Sequence, residues 1–326
     1  MGFESADGRF APSPSGPMHL GNLRTALLAW CFARSQAAHF LLRIEDLDRQ
    51  RSRREHDAAI VADLARLGID WDGAPVRQSE RLERHRECFE ELRSSGRLYP
   101  CWCARAEIRD AGAAPHPPLP GARARRAEGV YPGTCRTLSS RERSRLRRGG
   151  APNAWRLDAG AQRVRFVDRL AGDTAAVVDD FVLWRGEEPR RAAGDDPAAG
   201  GAPSYNLAVV VDDSDQGIGE VVRGDDLLET TPRQILLARL LGMAIPRYAH
   251  VPLVLGPSGR RLAKRDGAVT LDERLALGET VDSVIGWMAS SVGLAAPGAV
   301  LSSEQVLATF DPGRITREAT VFAPQP

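Results

Sequence analysis

The chain has 326 residues, enough to bury a real core and to form two or three domains or subdomains. Its 44 Lys and Arg nearly balance 43 Asp and Glu, for a formal net charge of +1, so overall charge points to no partner. No apolar run reaches the roughly 18 residues of a membrane span, Met1 to Gly8 carries acids without an apolar core and is not expected to be a signal peptide, and the odd count of five cysteines fits a reducing, cytoplasmic setting better than a disulfide framework.

Taken in order, Arg9-Phe10 opens a short strand, and Pro12 to Pro17 is a Pro/Gly/Ser turn. A helix then runs from about Asn22 to Ser35, with Leu23, Ala26, Leu27, Trp30 and Cys31 at helical spacing. A strand, a tight loop and a helix start carrying His19 form a generic phosphate-holding arrangement, although an ordinary Pro-rich turn into a core helix has the same spacing. His39 to Ile44 reads as a buried strand ending in Glu45, Asp46 and Asp48. That is the edge where open α/β sheets bind ligands, and also a place where acids cap helices. Arg54 to Leu67 is a helix with Ile60, Val61, Leu64 and Leu67 inward; Arg81 to Ser95 is another, with Cys88, Phe89 and Leu92 inward. The alternation predicts a parallel sheet.

The pattern breaks from Tyr99 to Gly150, a Pro-, Gly-, Ala- and Arg-rich stretch without periodicity. It contains Cys101-Trp102-Cys103 and Tyr131-Pro-Gly-Thr-Cys135, three of the five cysteines where little apolar material is available. A metal would supply the missing stability. Three thiolates leave a fourth zinc position, for which Tyr131, His116 or water are candidates; the alternative is three unligated cysteines in an insertion. Arg136 to Arg148 holds six arginines and one glutamate, a solvated face or a contact for RNA backbone. Ala154 to Leu157 and Val164 to Val167 alternate and are expected to pair with each other; Phe181 to Trp184 is a further strand, and Gly186 to Pro203 reads as a flexible loop, while the insertions around 110–126 and 187–203 touch no motif.

Tyr205 to Val211 is expected to be a buried strand ending in Asp212-Asp213, and Val221 to Asp226 a second strand end. Thr230/Thr231-Pro232 caps a helix whose inward face is Ile235, Leu236, the Arg239 stem and Leu240. Val251 to Leu255 is a strand leading into the Gly256 to Gly267 loop, which carries Lys264. Lys264 is the sole lysine; the other 43 basic residues are arginines, so a compact ammonium is expected to be needed there. Val281, Val284, Ile285, Met288 and Val292 mark a last helix.

At this point the chain resembles the class I aminoacyl-tRNA synthetases of the glutamyl type. Met18-His19-Leu20-Gly21 resembles the first signature of that family and Arg261-Leu262-Ala263-Lys264-Arg265 the second, with Arg261 where the family often has lysine and Ala263 where it often has serine. Arg9 to Gly16, Arg43 to Asp48, Tyr205 to Asp213 and Val222-Arg223-Gly224 are also glutamyl-like and occur in family order. The chain stops about 60 residues after Lys264, leaving no room for a helical anticodon-binding region. With Cys-x-Cys and Tyr-x-x-x-Cys, this resembles the glutamyl-Q tRNA(Asp) synthetase family.

The resemblance implies an α/β fold in which a Rossmann-like parallel sheet is split by a zinc-bearing insertion and followed by a short helical, stem-contact-like region. The corresponding boundaries are 1–98 and 186–256 for the two catalytic halves, 99–185 for the insertion, and 257–326 for the lysine loop and helical region. It implies ATP-dependent activation of L-glutamate, with Mg2+ accompanying ATP, and transfer to queuosine in the anticodon of tRNA(Asp), by a cytoplasmic monomer. His19 and Lys264 are the implied catalytic residues. ATP contacts fall on Pro12, His19, Gly21, Asn22 and Lys264, and glutamate contacts on Arg9, Ala11, Ser13, Glu45, Tyr205 and Arg223. The family's zinc set of three cysteines and a tyrosine maps onto Cys101, Cys103, Tyr131 and Cys135. Arginine forks and a hydroxyl suit the two carboxylates of glutamate and Glu45 suits its ammonium. Competing readings are a synthetase charging a tRNA 3′ end, a non-catalytic RNA-binding paralogue and an unrelated nucleotidyltransferase.

Overall fold

The structure is a computed structural model that describes residues 6–104, 107–108, 131–186, 201–262, 266–267 and 269–322. β1 (Gly8–Phe10) pairs in parallel with β2 (Phe40–Ile44), which pairs in parallel with β3 (Val76–Arg77). α1 (Leu20–Arg34) crosses between β1 and β2, and α2 (Arg54–Arg66) between β2 and β3. A 3-10 turn, Gln78–Arg81, then leads into α3 (Leu82–Ser94). Leu28 and Phe32 of α1 are as deeply buried as the expected face of Leu23, Ala26, Leu27, Trp30 and Cys31. A helix that is apolar all round belongs inside a core.

An antiparallel sheet forms from β4 (Leu98–Cys101), β5 (Ala154–Leu157), β8 (Phe181–Arg185) and β9 (Ala202–Pro203), the last of these beyond the expected insertion boundary at 185. Between β4 and β5 lies α4 (Ser140–Gly149), in a stretch expected to have no regular structure. Its start is set by a reciprocal capping box, the Ser139 hydroxyl to Glu142 N–H and the Glu142 carboxylate to Ser139. β6 (Arg163–Asp168) pairs antiparallel with β7 (Gly172–Val177), not with β5 as expected. The reason is burial: all four residues of β5 are buried between two neighbours, whereas β6 alternates and keeps one face in solvent.

The largest departure is α5 (Tyr205–Asp215), a helix where a strand is expected. A short continuous apolar run does not distinguish a buried strand from a buried helix. Ser204 decides it locally, its hydroxyl accepting from Leu207 N–H as an N-cap. Asp212 and Asp213 therefore sit in the last turns of a helix rather than at a strand end. β10 (Glu220–Gly224) follows, then α6 (Thr231–Leu240) and β11 (Arg247–Val251), which pairs in parallel with β10 and β6. In α6 the inward residues are Ile235, Leu236 and Leu237, while Arg239 is exposed and Leu240 half-buried, because the helix is covered on two sides. Thr230 holds the N-cap position without a side-chain cap bond; its hydroxyl donates to Leu227 O instead.

The parallel sheet of β1 to β3 and the mixed sheet of β10, β11, β6 and β7 meet at β1 and β10, where the N–H groups of Gly219 and Glu220 donate to the carbonyl of Asp7. β12 (Val254–Leu255), α7 (Leu271–Ala276), α8 (Val281–Ser290), α9 (Ser303–Ala308) and β13 (Thr320–Val321) close the other side of α1. Arg24 of α1 ties this layer in, donating to Ser291 Oγ, Thr320 Oγ1 and Pro252 O from a buried position. Burial lowers its pKa to about 10, so it stays charged at neutral pH.

A second core joins the insertion sheet to α3, α5 and α6. At its centre Phe89, fully buried, meets Trp155 edge-on at 5.7 Å and Trp184 at 5.4 Å. Phe89→Ala is expected to cost about 3–5 kcal/mol in urea unfolding. A loss under about 1 kcal/mol would show that the insertion and the helices do not share one core.

Candidate active site

A cavity of about 620 Å³ opens where β1, β10 and the start of α1 converge. Its walls include Arg9, Ala11, Pro12, Ser13, His19, Gly21, Asn22, Glu45, Tyr205 and Arg223, which the sequence singles out from stretches far apart. Lys264 lies outside the described residues, as does His116. Arg261, from the same loop as Lys264, does reach the cavity wall and pairs with Asp226 at 3.0 Å.

His19 is the N-cap of α1, which begins at Leu20, two residues earlier than the expected helix start. Its Nδ1 accepts from the N–H groups of Gly21 at 3.1 Å and Asn22 at 3.3 Å, and Asn22 Oδ1 accepts from His19 N–H. Since Nδ1 is an acceptor, the ring proton sits on Nε2. Burial, assisted by the Arg261 charge, lowers the pKa of His19 to about 4. The folded ring is thus depressed below its ordinary value of 6.5, so its contribution to stability is present above pH 6.5 and fades as pH falls toward 4. A Cβ at Gly21 would lie 3.0 Å from the His19 ring, so the close approach of backbone to imidazole calls for glycine there.

One half of the cavity rests on a buried chain of charges. Arg9 Nε donates to Asp213 Oδ1 at 3.1 Å and its Nη1 to Val222 O at 3.3 Å. Arg43 Nη1 donates to the same Asp213 oxygen at 2.7 Å and to Gln216 Oε1 at 2.8 Å, while its Nη2 reaches Glu45 Oε1 at 3.2 Å. Burial opposes ionisation of Asp213, but the Arg9 and Arg43 guanidiniums outweigh it and hold the carboxyl below its usual range. At Glu45 burial wins, and the carboxyl is pushed up against the opposing pull of Arg43 and Arg9.

Arg223 is fixed from behind. It donates to His250 Nε2 at 3.1 Å, Thr231 Oγ1 at 2.8 Å and Tyr205 Oη at 3.3 Å. His250 in turn donates from Nδ1 to Asp168 Oδ2 at 2.6 Å. Burial lowers the pKa of His250, consistent with a neutral ring that accepts from the arginine. Of the three acids after β2, only Glu45 lines the cavity. Asp46 accepts from Ser79 N–H and Oγ, and Asp48 accepts from Gln50 N–H in an exposed turn. Sequence reasoning misses Arg43, His250 and Asp168. The one available signal is a charged or imidazole side chain inside an otherwise apolar strand, as in Leu42-Arg43-Ile44 and Ala249-His250-Val251.

Some 30 residues of chain apart, Cys101, Cys103 and Cys135 place their sulfurs within 4.8 Å of one another. Tyr131 Oη stands 3.4 Å from Cys101 Sγ and 3.7 Å from Cys103 Sγ, and Cys103 Sγ is 3.5 Å from Cys135 Sγ. These spacings suit the edges of a tetrahedron around one ion with metal–sulfur bonds of about 2.3 Å. Without an ion, burial pushes the Cys103 thiol up to about 12 and the Tyr131 phenol up as well. Arg156 lies beside the group, with Nε 3.3 Å from Cys101 Sγ and its guanidinium 3.9 Å from the centre of the Tyr131 ring.

A family model described as tRNA synthetases class I (E and Q), catalytic domain, matches residues 6–282, and the split parallel sheet with its helix-start cavity is the arrangement of that class of ligases. A glutamyl-Q tRNA(Asp) synthetase of Nocardia farcinica is 49% identical over 97% of this chain and 92% of its own length. One of Symbiobacterium thermophilum is 43% identical over 95% and 94%. The chain belongs to this glutamyl-Q tRNA(Asp) synthetase family within class I. A crystal structure of a glutamate tRNA ligase from Elizabethkingia meningosepticum, in complex with its amino acid, superposes with a TM-score of 0.77 at 26% identity, covering 98% of this chain and 67% of that one. Among the described residues no helix is long and apolar enough to cross a membrane.

Titration with Co2+ is expected to give one equivalent of a thiolate charge-transfer band in the near ultraviolet, lost in Cys135→Ser. Absence of such a band in the reduced protein would show that the cluster holds no metal.

Proposed function

We propose that the chain activates L-glutamate with ATP, giving glutamyl-adenylate and pyrophosphate, and passes the glutamyl group to the queuosine base in the anticodon of tRNA(Asp). The observation that carries this reading is the meeting, in one cavity, of two fixed arginines and one buried carboxylate with a helix start capped by a neutral histidine. The names of the similar proteins favour queuosine as acceptor.

In this reading the N–H groups of Arg9 and Arg223 not used by their buried partners, together with Tyr205 Oη, receive the two carboxylates of glutamate. Glu45 receives its ammonium, and Ala11 and Ser13 line the approach. ATP, entering as its Mg2+ complex, lies along Pro12, Gly21 and Asn22. His19 donates from Nε2, and Lys264 covers the departing pyrophosphate. The α-carboxylate attacks the α-phosphorus in line, a P–O bond forms, and the bond to pyrophosphate breaks. No protein nucleophile is needed; positioning and stabilisation of phosphate charge suffice. The Cys101, Cys103, Tyr131 and Cys135 set holds one structural Zn2+, with all four positions filled by protein. The protein acts as a cytoplasmic monomer.

The same cavity would also serve a synthetase that charges a tRNA 3′ end, so the acceptor is the discriminating measurement. With ATP and labelled glutamate, label is expected on queuosine-bearing tRNA(Asp) and not on the same tRNA lacking queuosine. Equal labelling of both would overturn the queuosine assignment, and absence of glutamate-dependent ATP–pyrophosphate exchange would overturn activation itself.

The raised pKa of Glu45 adds a pH signature. Its carboxyl must lose its proton before it can pair with an ammonium, so KM for glutamate is expected to fall as pH rises above the ordinary carboxylate range. Glu45→Gln is expected to flatten that dependence and to raise KM about tenfold to a hundredfold, the worth of a charged hydrogen bond. An unaltered KM profile in exchange assays would remove Glu45 from the ammonium site.

A further inference from the structure

We infer that α4 is a dock for the phosphate backbone of the RNA substrate, held in position by the cysteine–tyrosine cluster. This rests on the proposed function for the identity of the polyanion. α4 buries none of its residues; Arg143 is half-buried and all the others are exposed. A helix that is polar all round usually depends on opposite charges three or four residues apart. α4 lacks them. Its one acid, Glu142, is committed to the Ser139 cap. Arg141 and Arg145, Arg143 and Arg147, and Arg145 and Arg148 are like-charged neighbours at those spacings. Among the described residues Arg141, Arg145, Arg147 and Arg148 have no carboxylate partner, and Arg143 Nε is buried without one. The repulsion is therefore left for a bound polyanion to relieve.

The helix is nonetheless fastened at both ends to the cluster. Before it, Leu138 packs on the cysteines, and Arg136, next to Cys135, donates to both oxygens of Asp180 and accepts at its carbonyl from Arg143. After it, Gly150 O accepts from Trp102 Nε1 at 3.2 Å, and Asn153 Nδ2 donates to Trp102 O at 2.6 Å. Trp102 lies between two of the cysteines, and its backbone N–H faces Cys135 Sγ. The cationic row is thus ordered before any partner arrives, which lowers the entropy lost on binding. A membrane surface is a poorer match, because a surface-lying helix needs an apolar face and α4 has only Leu146, 37% exposed.

The test replaces Arg141, Arg145, Arg147 and Arg148 together with glutamine, a good helix former, and separately with lysine. Glutamate-dependent ATP–pyrophosphate exchange without RNA is expected to be unchanged in both variants. The dissociation constant of queuosine-bearing tRNA(Asp), measured by fluorescence anisotropy across salt concentrations, is expected to rise ten- to a hundredfold in the glutamine variant near 0.1 M salt. Its log–log salt slope should become shallower by about three, one unit or slightly less per lost phosphate contact. The lysine variant should recover most of the slope. Unchanged affinity and slope in the glutamine variant, with exchange intact, would overturn the inference. So would wild-type binding to phosphatidylserine vesicles accompanied by no change in tRNA affinity between variants. Wild-type protein that lacks exchange yet loses RNA binding on substitution would refute the proposed function and leave this dock standing.

Discussion

One carboxylate, Asp213, sits between Arg9 and Arg43 with almost no access to solvent, and the cavity depends on it. The three side chains come from β1, β2 and α5, two of them separated from the third by 204 and 170 positions in the chain. Without it Arg9 would keep only the Val222 carbonyl and Arg43 would be left with Glu45 and Gln216; removing one partner of a buried ion pair typically costs about 3–5 kcal/mol. The pair of arginines fixes α5 against the first parallel sheet, and it fixes each arginine at a stated set of nitrogens. What remains of Arg9, and the Glu45 carboxylate held by Arg43, then faces the cavity with little freedom left to lose. Preorganisation of this kind is what charge recognition in a polar site requires.

A second chain, Asp168–His250–Arg223, does the same from the opposite wall. The two chains do not share a residue. One is anchored on α5 and β2, the other on β6 and β11, and they meet across the joint of β1 and β10. The site therefore lies where two sheets are joined through the carbonyl of Asp7 and the Arg9 side chain on Val222 O, rather than within either sheet. Each half brings its own buried support, so the geometry of the cavity follows from how the halves are joined.

The parts of this arrangement written in local chemistry were legible in the sequence. The Pro-rich turn, the helix start near His19 and the cysteine spacing act over a few residues: the helix begins within two residues of its expected start, and the three sulfurs come together. The capping box of Ser139 and Glu142 is equally local, but it stands in an arginine run whose lack of apolar periodicity carries no helix signal. Other features were not local. Tyr205 to Val211 is apolar at every position but one, and only Ser204 and the tertiary position of Asp213 select helix over strand. Arg43 looks like an interruption in a buried strand until the partner 170 residues away is known. The choice of Tyr131 beside the three sulfurs likewise depends on a fold that brings the chain back after some 30 residues, not on spacing.

His19 carries a consequence for how this site can change over time. One ring nitrogen caps the start of the helix and, in the proposed function, the other donates to the nucleotide, so fold and chemistry then draw on a single imidazole. Active sites commonly sacrifice stability for function, and substitutions there often make a protein sturdier and less active. At His19 that exchange is narrow: a replacement without an acceptor frees Gly21 and Asn22, loosening the first turn as it empties the cavity wall, and only a short capping side chain such as Asn, Asp or Ser keeps the cap without the ring. Purging of unstable variants and purging of inactive ones then fall on the same residue for every replacement that cannot cap the helix.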